Sequence, residues 1–271
     1  MCLILLAWQA HPEYPLVVAA NRDEFFARPS APAGFWPEHP EILAGRDLEA
    51  GGTWLGVSRR GRFAALTNYR EGGRQRLETP SRGALVADFL VQDGDPRRYL
   101  DDLARRGADY NGFNLFVGDG HRLGYYGNRG AGPRWLAPGI YGLSNHLLDT
   151  PWPKLAAAKT AFSAALGQLP TMAPFFDLLA DREIVTDAHL PETGVAIEWE
   201  RILSAIFVHS PDYGTRASTL LTMHRHGKMT LVERTFGAHA QPLGEVRESF
   251  QHTPKEIPLE FGGHRVHGEK T

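Results

Sequence analysis

Leu16-Val17-Val18-Ala19-Ala20 runs straight into Asn21-Arg22-Asp23-Glu24, followed by Phe25-Phe26. The first five residues read as a buried strand. The next four are polar, with a carboxylate pair and an arginine at the mouth of that strand, and core packing does not account for them. Upstream, Cys2–Trp8 is a second apolar run of seven residues, set off by a loop holding Pro12 and Pro15. Pairing the two as antiparallel strands brings the end of the second beside the start of the first, so Asp23 falls near Cys2.

The surrounding chain bounds the class. It has 271 residues and 42% hydrophobic content, enough for a sizeable core. Basic and acidic residues balance at 29 against 31, which argues against a phosphate-neutralising nucleic-acid binder. No run approaches the roughly 20 apolar residues of a membrane span. Cys2–Trp8 lacks a basic segment before it and is a poor signal peptide. One cysteine excludes an intrachain disulfide and a cysteine-based zinc cage. The expectation is a cytoplasmic protein with no nucleic-acid partner and no transmembrane segment.

Strand pairs bracket turn signals in three places. These are Thr53–Ser58 with Phe63–Asn68, Phe113–Gly118 with Leu123–Gly127, and Thr219–His224 with Met229–Arg234. Helical patterns lie between them at Ala84–Val91, Pro96–Arg106, Pro153–Leu166, Ala173–Ala180 and Trp199–Leu203. Asp95 is a natural N-cap with Pro96 at the first helical position. Strands, then helices, then strands read as layered α+β. One domain over residues 1–252 and a flexible tail over 253–271 are expected. There is no P-loop and no HExxH motif. Gly127, Gly130 and Gly132 are in the wrong order for a dinucleotide fingerprint. Gly142–His146 misses a nucleophile elbow at its last position.

Position 2 carries the sharpest chemistry. Cysteine is small enough for the initiator methionine to be removed, leaving Cys2 with a free α-amine of pKa about 7.7–8.0. One residue then supplies both nucleophile and base.

Cys2 followed by Asn21-Arg22-Asp23-Glu24-Phe25-Phe26-Ala27-Arg28-Pro29 resembles the NRDE family, which includes transport and Golgi organisation protein 2. The resemblance extends through Gly51–Gly56, Ala64–Tyr69, Tyr110–Leu115, Tyr126–Gly130, Tyr141–Asn145 with Thr150–Trp152, and Tyr213–Arg216. It implies a four-layer αββα sandwich of the N-terminal nucleophile type. It also implies links to haem trafficking and acyl-coenzyme A binding. In the wider superfamily, bile salt hydrolases and penicillin V acylases open on Met-Cys and carry Arg-Asn-x-Asp after the second strand. Asn21-x-Asp23 matches all but the arginine.

The resemblance implies a role for each residue. Cys2 attacks a carbonyl and Asp23 orients its amine. Asn145, with a main-chain donor near Asn68, stabilises the oxyanion. Arg216 favours the thiolate. No cofactor is required for such hydrolysis. The superfamily's arginine position falls on Ala20, and Arg22 is expected to face the other side of the strand. Glu24 adds a negative charge absent from the hydrolase pattern. Two functions are carried forward: an amide or thioester (acyl) hydrolase, and a non-catalytic carrier of haem or an acyl-coenzyme A in the same pocket. The expected partner is thus a small acyl compound or haem as cargo. Asn21, Arg22, Glu24, Phe25 and Trp54 are candidate ligand-binding residues, and Phe26, Phe35 and Trp36 are further apolar lining.

Overall fold

The computed structural model describes residues 2–73, 76 and 78–252, Cys2 by its backbone alone. The segment 253–271, where a flexible tail was expected, lies outside the described residues. In chain order the strands before the first helix are β1 (Cys2–Trp8), β2 (Leu16–Phe25), β3 (Ser30–Phe35), β4 (Ile42–Asp47), β5 (Leu55–Ser58) and β6 (Phe63–Asn68). Helices α1 (Arg82–Val91) and α2 (Pro96–Arg106) follow, then β7 (Phe113–Gly118), β8 (Leu123–Gly127), β9 (Arg134–Trp135) and β10 (Gly139–Leu143). Helices α3 (Pro153–Leu166), α4 (Ala173–Leu179) and α5 (Ile197–Ile202) lead to β11 (Tyr213–Met223), β12 (Lys228–Phe236) and β13 (Pro242–Gln251).

The strands form two antiparallel sheets. One runs β10-β1-β2-β11-β12-β13, the other β3 through β9 in sequence order. Side chains alternate along β1 and β2 with the period of two that an extended chain imposes. Ile4, Leu6, Trp8, Leu16, Val18 and Ala20 enter the layer between the sheets, with Phe63, Ala65 and Phe116 from the other side. Leu3, Leu5, Ala7, Val17 and Ala19 face the opposite way, onto Leu155, Phe162, Phe175 and Leu179 of α3 and α4. Helices α1 and α2 cover the outer face of the second sheet through Leu85, Phe89, Leu100 and Leu103. The layers are therefore helix, sheet, sheet, helix, the αββα order that the resemblance implied. Burial of each fully enclosed phenylalanine, such as Phe113 or Phe162, contributes roughly 1.5–3 kcal/mol by transfer alone.

Local chemistry explains the element ends. The Asp95 carboxylate accepts a 2.7 Å hydrogen bond from the Arg97 amide, capping α2 with Pro96 at its start. Strands β3, β4, β9, β10 and β13 had no clear signal in the sequence. Pro32 sits in β3, which is an edge strand and tolerates a missing donor. Most of β13 is solvent-exposed at an edge of the other sheet, and Glu245, Arg247 and Glu248 give it a charged rim. Among the described residues no helix is long and apolar enough to cross a membrane.

Candidate functional site

Strand register assembles the site. Cys2 pairs with Arg22 in the β1–β2 ladder. On the other side of β1, Ile4 pairs with Leu143 and Leu5 with Gly142. β10 ends at Leu143, two residues before Asn145. The Cys2 side chain lies outside the described residues, and so do the distances from its sulfur to Asp23, Asn68, Asn145 and Arg216.

Asp23 is buried on β2 opposite Thr215 of β11. The Thr215 hydroxyl donates to its carboxylate at 2.7 Å, and the Tyr213 hydroxyl to its main-chain carbonyl at 3.1 Å. Burial pushes the Asp23 carboxyl above its ordinary range. Lys154, the Thr215 hydrogen bond and Arg70 oppose that shift.

Asn145 is fully buried just beyond β10, and its Nδ2 donates to the Asn68 carbonyl at 2.8 Å. The structure thus brings together two residues 77 positions apart. The amides that follow Asn68 are already committed. Tyr69 donates to the Gly112 carbonyl at 2.9 Å, and Arg70 to the Asn145 carbonyl at 2.7 Å. An oxyanion reading therefore rests on Asn145 and on Asn68 itself, because these two neighbouring main-chain donors are spent.

Beneath this corner lies a buried charge cluster that the sequence reading missed. Arg70 Nη1 meets Glu200 Oε2 at 2.5 Å, with side chains only 3% and 4% exposed. The other Glu200 oxygen accepts from the Thr193 amide and hydroxyl. Lys154 donates to the carbonyls of Leu203 and Ala205 at 2.7 and 3.3 Å. Burial drags the Arg70 pKa down, and Glu200 pulls it back. Arg70 follows Asn68-Tyr69, and Lys154 follows Thr150-Pro151-Trp152-Pro153, so each was adjacent to a recognised motif. Glu200, in a helix of six residues, carried no signal.

A cleft of about 510 Å³ opens at the mouth of β2, lined by Arg22, Asp23, Glu24, Trp54, Asn68 and the start of α1 around Ser81–Gly83. The Arg22 guanidinium lies 4.2 Å from the centre of the Trp54 ring. The expectation that Arg22 faces away from the Ala20 side was wrong. Residues two apart on a strand share a face, so Arg22 enters the same inter-sheet layer as Ala20. Glu24 lines the cleft, and its carboxylate accepts the Phe25 amide at 2.9 Å.

The structure does not gather every expected ligand residue here. Asn21 points to the helix side, where Nδ2 donates to Leu179 and Ile206 carbonyls and Oδ1 accepts from Ser218. Phe25 is 52% exposed and stands edge-on to Tyr213 at 5.0 Å. Phe26 packs at Gly214, Phe35 against Phe250, and Trp36 in the layer under α1 and α2. Arg216 occupies a bulge between Thr215 and Ala217, and donates to the carbonyls of Phe25 and Arg28. Haem bound through its iron needs an axial ligand such as His, Cys, Met or Tyr. None of the described cleft-lining residues is His, Met or Tyr.

Glu233 on β12 was also missed. It is buried and accepts the Ala33 amide at 2.7 Å and the Thr219 hydroxyl at 3.1 Å. Burial raises its pKa above 4.5, against the pull of those bonds and of Arg22. The folded state then binds the proton more tightly than the unfolded chain, so this residue's contribution to stability falls as pH rises from 4.5 through the folded value. Glu233→Gln is expected to raise the melting temperature at pH 7.5, and the gain should fade toward pH 4. A gain that grows on acidification contradicts this assignment.

A family model described as Transport and Golgi organisation 2 matches residues 1–238. The chain belongs to that family. Among Transport and Golgi organisation 2 relatives, the bovine "Transport and Golgi organization protein 2 homolog" is 43% identical, covering 87% of this chain and 93% of its own. The Drosophila melanogaster "Transport and Golgi organization protein 2" is 28% identical, covering 90% and 95%. The charged residues placed in this site fall inside the family match, while β13 lies beyond it. Similar solved structures include the C2A mutant of a conjugated bile acid hydrolase from Clostridium perfringens. It shows 8% identity and a TM-score of 0.47, covering 93% of this chain and 92% of that one. A penicillin V acylase from Agrobacterium tumefaciens shows 13% identity and a TM-score of 0.42, covering 94% and 89%.

Proposed function

We propose that this Transport and Golgi organisation 2 chain cleaves an acyl group from an amide or thioester through Cys2. Removal of Met1 frees the Cys2 α-amine, which takes the thiol proton as sulfur attacks the carbonyl carbon. The amine then gives that proton to the departing amine or thiol, leaving an S-acyl cysteine that water hydrolyses. Asp23 orients the amine, and an Asn145 N–H stabilises the developing oxyanion, a donor worth a few kcal/mol in such sites. The observation that carries this reading is local: Asp23 is buried on β2 with its carboxylate bonded to the Thr215 hydroxyl, directly after Arg22, the strand partner of Cys2. A short-chain p-nitrophenyl ester should leave its acyl group on residue 2, seen as an acylated N-terminal peptide.

A second reading is a non-catalytic carrier of an acyl-coenzyme A in the same cleft. Its support is Arg216, whose Nη1 is taken up by two main-chain carbonyls where the hydrolase reading wants it beside a thiolate. A carrier predicts stoichiometric binding and no acyl transfer to residue 2.

A further inference from the structure

Beside the large cleft, and sharing Arg22 and Trp54 with it, is a pocket of about 230 Å³. Arg216, Pro32, Glu233 and Phe236 complete its working walls. Arg22 is 6% exposed, and its Nη1 is buried with no hydrogen-bond partner. The Nε of Arg216 is likewise buried and unpaired. Trp54 stacks on Arg22 but offers no lone pair. Glu233 is engaged by Ala33 and Thr219, and it forms no ion pair with either arginine among the described residues. Burial and repulsion from Arg22 both push the Arg216 pKa down, and Glu24 pulls it back. Burying cations with open donors is costly unless something charged completes them. A planar guanidinium fork matches a carboxylate or a phosphate.

We propose that the ligand of this cleft carries an oxyanion, a carboxylate or a phosphate, seated between Arg22 and Arg216 against Trp54. The pocket is smaller than the about 300–1,000 Å³ of drug-sized sites, so it holds a charged head and a few carbons. The rest of the ligand extends into the larger cleft toward residue 2. The inference rests on the acyl-substrate reading only for that last placement.

The test compares hexanoate, hexyl phosphate and hexanol by calorimetry on the full chain. At least one anion should bind about tenfold or more tightly than the neutral alcohol, as expected for hydrogen bonds to a charged group. Which anion binds better identifies the head group. Equal binding of all three, or none by any, overturns the proposal. Arg22→Met should abolish the preference. Unchanged anion preference in that variant also overturns the proposal. Cys2→Ala protein should keep the full preference, so a failed hydrolase reading and a failed anion site give different results. The three-ligand comparison on the unaltered chain stands without any variant.

Discussion

Cys2→Ala is expected to reduce hydrolysis of an amide or thioester to the background rate, a loss on the order of 10⁴–10⁶-fold. The alanine removes the sulfur that forms the covalent bond, while the amine, Asp23 and Asn145 remain. Affinity for a non-hydrolysed ligand should stay within about threefold, because the cleft walls come from other strands. That separation matters, since a cysteine opening a strand is also a small hydrophobe that packs well. If turnover survives, the nucleophile lies elsewhere. If turnover and binding vanish together with a drop in melting temperature, Cys2 is a packing residue and the hydrolase reading fails.

Glu200→Ala is expected to cost about 3–5 kcal/mol of folding stability. The substitution strands the Arg70 guanidinium at 3% side-chain exposure and also removes the acceptor of both Thr193 bonds. At about 2–4 °C per kcal/mol for a domain near this size, the melting temperature should fall by roughly 10 °C. Pairing Glu200→Leu with Arg70→Met should recover most of the loss, because the penalty comes from the orphaned charge more than from the missing attraction. A loss below about 1 kcal/mol for the single change means that water reaches Arg70 and the cluster is not a closed one.

These two residues also show where sequence reading reached and where it stopped. Cys2 and Asp23 were legible because an antiparallel pair of apolar strands fixes which ends meet. The hairpins at Leu55–Asn68 and Phe113–Gly127 were legible because Gly61 and Gly120 take positive φ values of 78° and 86° at their turns. The Arg70–Glu200 pair was not, because its partners are 130 residues apart and meet only after the layers close. Glu233 sits one turn of alternation beyond Leu231 on β12, and nothing local distinguishes a buried carboxylate from an exposed one. Strand β4 hid behind Gly45, where an added Cβ would fall 2.3 Å from the Trp54 ring. That close approach explains the glycine, and only the folded contact reveals it. The error over Arg22 was different in kind. The period of two was available in Ala20-Asn21-Arg22, and it places the first and third residues on one face.

The intact mass of chain produced without a tag, before and after a pulse of a p-nitrophenyl ester, bears most directly on the acyl-transfer reading. The predicted result is a protein lacking Met1 that gains one acyl mass, with the acyl group mapped to Cys2 and lost again over time to water. Retention of Met1, which denies Cys2 its free amine, or an acyl group mapped to any other residue, contradicts it.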